Sequence, residues 1–214
     1  IPTYKEALYI LKPTFNAIIN SHYPKSKLLI AVGFEERDNP QKIEETKKFL
    51  KTIEKKIGAI FITTHPHGLT GEVPGQGSNK NWMVKHILPQ LKERKIKTEN
   101  VYVTTLDADF IIHQEFLAGS LHKYLSTPSS ERDKRTFTGI FLYHNNYWQA
   151  PTPMRLMATG TSFWQMAELV GSDKYINYSS MSLSLKALLD IGLWIPDKVN
   201  DDSGFYWKAY YHFN

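Results

Sequence analysis

The sequence predicts an α/β fold, an open and mostly parallel Rossmann-like sheet flanked by helices. Three observations point there. Leu28–Val32, Ala59–Thr63 and Val101–Leu106 are short apolar runs, and the first has the unbroken hydrophobicity of a strand buried on both faces. Between the first two runs, Ile43, Phe49, Leu50, Ile53 and Ile57 recur at helical spacing, so a surface helix over Gln41–Ile57 lays one face on a core. The third run ends at Asp107, and open α/β sheets gather ligands at the carboxyl ends of their strands.

The other elements follow in order. Ile1–Glu6 reads as a loop leaving a strand that is not in this chain. Pro13 suits the first turn of a helix through Ile19, closed by Tyr23-Pro24. His65–Ser78, with glycine at 68, 71, 75 and 77 and proline at 66 and 74, reads as a loop. Helices are expected at Asn81–Leu91 and Phe116–Leu125, with a polar loop over Ser126–Lys134 and a strand at Thr136–Tyr143. Beyond Asn145 the alternation fades, and Phe205–Phe213 reads as an aromatic helix still in progress. No repeat or linker divides the chain. One domain is expected, with residues 1–144 as a nucleotide-binding half and 145–214 as an acceptor-facing half.

Composition narrows the class. Of 214 residues, 42% are hydrophobic and 22% charged, ordinary for a chain that buries a full core. There is no cysteine, which excludes a disulfide scaffold and a thiolate metal site. The net charge of +5 admits a basic face for nucleic acid or an anionic membrane. The lysines are spread out, however, and the densest stretch, Lys42–Lys56, interleaves Glu44, Glu45 and Glu54. Solvated helix faces account for that pattern, and no nucleic-acid partner is expected. No run of apolar residues is long enough to cross a membrane, and no signal peptide is visible. The opening Ile1 and the unfinished final helix fit a piece of a longer protein.

Asp107 and Asp109 carry the chemistry. With one residue between them at a strand end, both carboxylates can face a common centre. Hard divalent cations take one or two carboxylates plus substrate phosphates. An isolated Asp-x-Asp also serves as a turn or helix cap. The Gly-rich stretch Gly71–Asn81 precedes a helix, where backbone amides can hold phosphate, although it has neither the Walker ending nor the dinucleotide fingerprint. Asp201-Asp202 form a second acidic pair, suited to a general base or to capping the following helix. His65, His67, His113 and His144 make no zinc pattern, and no serine nucleophile elbow is present.

The order of these pieces resembles the family 2 glycosyltransferases of membrane-associated bacterial type, which have the GT-A fold. Pro2-Thr3-Tyr4-Lys5-Glu6 looks like the family's Pro-x-Tyr-Asn-Glu loop. Tyr23-Pro24 before Leu28–Val32 matches its helix-to-strand step, and Gly75–Asn81 its Gly-Lys-x-x-x-x-Asn segment. Leu106-Asp107-Ala108-Asp109 matches its Asp-x-Asp motif. Ser180–Trp194 leads to Asp201-Asp202, where its Glu-Asp motif belongs.

The resemblance implies an inverting transfer of a sugar from a nucleoside diphosphate donor, a UDP-sugar first among them, to a glycan or lipid hydroxyl. Pro2, Thr3, Glu6, Glu35, Glu36, Gly77, Asn79, Asn81 and Asp107 would contact the donor. Asp109, with Asp107, would hold Mg²⁺ or Mn²⁺. Asp202, paired with Asp201, would be the base. It also implies polysaccharide biosynthesis at the cytoplasmic face of a membrane, held there by segments outside this chain. Three positions depart from the pattern: Lys5 stands for Asn, Gln76 for Lys and Asp201 for Glu. A nucleotidyltransferase and a non-catalytic glycan-binding relative, using Trp148, Trp164, Trp194 and Trp207, are the rival expectations.

Overall fold

The computed structural model describes residues 1–171 and 180–214. Its centre is a parallel pair of strands, β1 (Leu29–Glu35) and β2 (Ala59–His65), in register from Leu29 opposite Ala59 to Glu35 opposite His65. Each strand outlasts its apolar run and ends on a polar side chain. Pro2 bridges to Gly33 on β1, also parallel, with Thr3 N–H donating to Gly33 O at 2.8 Å.

Helices cover both faces of the strand pair. Ile30, Val32 and Phe34 of β1 pack with Phe15 and Ile18 of α1 (Leu8–Asn20) and with Leu50 of α2 (Pro40–Ile53). Leu29 and Ala31 point the other way, into a second core with Phe61, Leu183, Leu188 and Trp194. That core is closed by Leu91 of α3 (Gln76–Glu93), by α6 (Leu185–Ile191) and by Phe205 of α7 (Asp201–Phe213). Alternation along one strand thus feeds two cores, the three-layer solution for an α/β sheet. A buried Phe15 or Leu50 contributes about 1.5–3 kcal/mol.

Several boundaries differ from expectation, each for a physical reason. Helix α1 starts at Leu8 and carries Pro13 in its interior rather than its first turn. The missing N–H there costs one helix bond, and the neighbouring Thr14 hydroxyl is anchored on Ala108 O at 2.8 Å. Helix α2 is capped by Asn39, whose side chain accepts from Gln41 N–H, and tightens into a 3₁₀ turn over Glu54–Lys56. Helix α3 begins at Gln76, so the last glycine of the predicted loop, Gly77, is helical. The strand after it is short: β3 (Tyr102–Thr104) pairs antiparallel with β4 (Ser182–Ser184). The predicted strand at Thr136–Tyr143 is reduced to a single antiparallel bridge, Phe137 to Ser182. Helices α4 (Phe116–Ser126) and α5 (Thr152–Glu168) complete the fold.

Candidate active site

The opening loop is pinned to the end of β1. Lys5 N–H donates to Asp38 Oδ2 at 2.7 Å, and the Arg37 guanidinium lies 4.2 Å from the Tyr4 ring centroid. Pro2 and Thr3 are buried. Lys5 has φ of +71°, in the left-handed region that Asn tolerates better than most residues. Glu6 is half-buried, and its carboxylate accepts from Tyr4 N–H at 2.5 Å. Burial pushes the Glu6 carboxyl above its usual range; the neighbouring Asp38 and Asp109 add to the rise, while the bond from Tyr4 opposes it.

At the carboxyl ends of β1 and β2 a polar cluster forms because Glu35 and His65 are register partners. Glu35 is buried and fully engaged. Its Oε1 accepts from Asn79 Nδ2 at 2.9 Å, while Oε2 faces His65 Nδ1 at 3.3 Å and Arg37 Nε at 3.5 Å. The other ring nitrogen of His65 meets Glu72 Oε2 at 2.8 Å, and Trp82 stands edge-on to the ring. Glu36 lies outside this cluster, exposed, accepting from His67 N–H.

The first turns of α3 act as a clamp on the segment before α7. A Cβ on Gly77 would stand 2.8 Å from Asp201 Cβ and 3.0 Å from Ile195 O, so glycine is needed there for close approach. Asn81 exchanges two hydrogen bonds with the Trp194 backbone, at 2.8 and 3.0 Å. Asn79 bonds Gly33 O as well as Glu35. Gly77, Asn79 and Asn81 are all buried, and the amides of the two asparagines turn inward. Between them Lys80, also buried, meets Asp201 Oδ2 at 2.7 Å and Asp202 Oδ1 at 3.5 Å. Asp201 and Asp202 are the first two helical residues of α7, with Asn200 as the cap, where carboxylates complement the helix dipole.

Asp107, Asp109 and Asp202 line one groove of about 2020 Å³. Asp107 is half-buried and accepts from Gln76 Nε2 at 3.2 Å; Asp109 is exposed, its backbone carbonyl accepting from Asn145. Among the described residues no three or more His, Asp or Glu side chains gather as a metal cage. The aromatics divide: Trp194 is core, whereas Trp148, Trp164 and Trp207 are exposed.

Sequence reasoning missed Lys80 and Arg37, and it singled out Gln76 only as a departure from the family's Lys, not as the partner of Asp107. Nothing local marks a lysine that will be buried. Its signal was the helical phase that sets Lys80 beside Gly77, visible only once α3 is known to start at Gln76.

This layering is the α/β fold of solved glycosyltransferase structures. One of them is the mannosyltransferase PcManGT from Pyrobaculum calidifontis, in complex with GDP-Man and Mn²⁺: 17% identity, a TM-score of 0.62, covering 97% of this chain and 50% of that one. Another is S. aureus TarS, at 15% identity and a TM-score of 0.52, covering 99% of this chain and 32% of that one. The chain spans half or less of the length of these structures, and at such identities the likeness is one of fold. No family model and no curated protein matches the sequence.

Proposed function

We propose that this chain transfers a sugar, with inversion, from a nucleoside diphosphate donor to a hydroxyl acceptor. The observation that carries the reading is that Asp107, Asp109 and Asp202 line one groove, although the third is remote in sequence from the other two. Function lives in the site rather than the fold, and these carboxylates divide into two tasks.

Asp107 and Asp109 suit a divalent cation. With no third His, Asp or Glu gathered beside them among the described residues, two carboxylates would leave room for diphosphate oxygens and water on a Mg²⁺ or Mn²⁺ ion. Such an ion, when bound, neutralises charge on the leaving diphosphate. Asp202 is the proposed base. Its carboxylate stands beside Lys80 and takes the proton of the acceptor hydroxyl as that oxygen attacks the anomeric carbon. Holding acceptor and donor in line supplies much of the rate. Pro2, Thr3, Glu6 and Glu36 are kept as donor contacts in this reading, on the opening loop and the end of β1 rather than on the lining of the groove; Glu35 is buried, fixing His65, Arg37 and Asn79.

The test is a screen of UDP-, GDP- and dTDP-sugars with Mn²⁺, reading nucleoside diphosphate release and sugar transfer. Release of pyrophosphate from a nucleoside triphosphate instead, or donor binding with neither hydrolysis nor transfer, would overturn the proposal.

A further inference from the structure

One face of α7 carries a row of side chains that starts at Asp202. At a rise of about 1.5 Å per residue, Asp202, Tyr206 and Tyr210 follow one another on that face in steps of about 6 Å, and all three line the groove. Exposure grows along the row: Asp202 and Tyr206 are half-buried and Tyr210 is exposed. The two tyrosine rings are nearly parallel, with planes 20° apart and centroids 6.4 Å apart, so they are offset and neither covers the face of the other. Trp207 stands edge-on to both, at 5.2 and 5.9 Å, and braces their planes. The one lysine of α7, Lys208, is turned away and donates to Gly192 O at 2.7 Å and Leu193 O at 3.1 Å. Beyond Asp202 the face consists of Phe205, Tyr206, Ala209, Tyr210 and Phe213, all uncharged.

We infer that Tyr206 and Tyr210 are two successive acceptor subsites for a neutral, extended oligosaccharide whose terminal sugar presents its hydroxyl to Asp202. The inference rests on the transfer reading above. A pyranose offers a face of C–H groups to a flat ring and keeps its hydroxyls at the edge, in water. The negative face of a tyrosine ring attracts those C–H groups, and its hydroxyl stays wet. One helical turn advances about 5.4 Å, the scale of one sugar unit in an extended chain, so successive units meet successive rings. Rings already held in plane lose little freedom on binding. The groove, about 2020 Å³, exceeds the about 300–1,000 Å³ that encloses one small ligand, which leaves room for several units. An anionic chain of phosphodiesters finds no cation on this face of α7. An acyl chain is satisfied by any apolar wall and makes no use of parallel rings. The acceptor is then itself the product of earlier sugar transfers, and this chain lengthens it.

Calorimetric titration with cello-, manno- and chito-oligosaccharides, each from monosaccharide to pentamer, tests the subsites without any donor. In at least one series, affinity is expected to climb as far as the trimer and then level off, with one unit at Asp202 and one over each ring. Tyr206→Ala/Tyr210→Ala is expected to lower trimer affinity about tenfold. Tyr206→Phe/Tyr210→Phe is expected to keep it, since the ring and not the hydroxyl makes the contact. Tyr210→Ala alone, at an exposed position, reads the outer subsite should the double variant melt early. Binding that ignores chain length in all three series overturns the inference, as does equal trimer affinity of the parent and both alanine variants. Transfer is read separately, with the donor screen. Transfer to a monosaccharide or a lipid, with no gain from a longer glycan, upholds the transfer reading and overturns the subsites. Trimer binding that the alanines weaken, with no transfer from any donor, upholds the ring subsites and sinks the transfer reading instead.

Discussion

Lys80 and Asp201 form an ion pair 2.7 Å long, closed off from solvent, that ties the first turns of α3 to the first turn of α7. The same ammonium stands 3.5 Å from Asp202 and 5.4 Å from the Trp194 ring centroid. Removing one partner of a buried pair leaves an uncompensated charge, which costs about 3–5 kcal/mol. Lys80→Met is therefore expected to lower unfolding free energy by that amount in urea titration. Lys80→Arg is expected to recover part of the stability, and part of any lost turnover, with donor affinity little changed. Equal stability of Lys80→Met and the parent would show that the pair holds nothing.

Asp202→Asn is expected to keep donor affinity and lower turnover about 10²–10⁴-fold, the usual scale for loss of a general base. Steady-state transfer assays with calorimetric donor titration separate the two quantities. Undiminished transfer removes Asp202 from the mechanism.

Asp109 is exposed on the groove, so its substitution spares the core. Asp109→Ala is expected to abolish the Mn²⁺-dependent part of donor binding while leaving the melting transition within about 0.5 kcal/mol of the parent. Calorimetry with and without Mn²⁺ reads the difference; identical binding curves would dismiss the metal role.

Lys5 holds φ of +71°, a conformation that costs an L-residue other than Gly, Asn or Asp about 1–2 kcal/mol. Its N–H bond to Asp38 needs only backbone. Lys5→Asn keeps that bond and is expected to stabilise the chain by about 1 kcal/mol, read as a higher thermal midpoint. A lower midpoint would mean that the lysine side chain supplies more than the strain costs.

Glu6 gives a pH signature. Burial first, and the nearby Asp38 and Asp109 after it, raise its carboxyl above the ordinary glutamate value. The folded state then binds the proton more tightly than the unfolded one, so this group favours folding at low pH. The contribution falls away as pH rises from the ordinary value through the raised one. Glu6→Gln is neutral throughout and keeps an acceptor for Tyr4 N–H. Its stability relative to the parent is expected to increase with pH across that window, measured by denaturation at several pH values. A constant difference would refute the shift.

Much of the fold is legible along the chain because local pattern decides it. The runs at Leu28–Val32 and Ala59–Thr63 are apolar without interruption, and both are strands. The α2 stripe is periodic, and the helix lies where the stripe does. Thr136–Tyr143 has the same look and forms only one bridge, since a strand needs a partner for its amides as well as suitable side chains. Glycines mislead for a related reason. Gly77 reads as loop, yet it lies inside α3; it is glycine because Asp201 packs where a side chain would be.

The sequence by itself determined the alternating α/β order and the presence of two acidic pairs, Asp107 and Asp109 in the loop that follows β3 and Asp201-Asp202 at the start of α7. Periodicity and spacing are properties of neighbours, and these features need nothing else. Only the tertiary structure decided that Asp202 shares a groove with Asp107 and Asp109, that Lys80 is buried against both downstream aspartates, and that α5 hides its serine and glutamine while exposing its leucine and phenylalanine. Each of these depends on which surfaces meet between residues far apart in the chain, and burial is set by that meeting rather than by residue type.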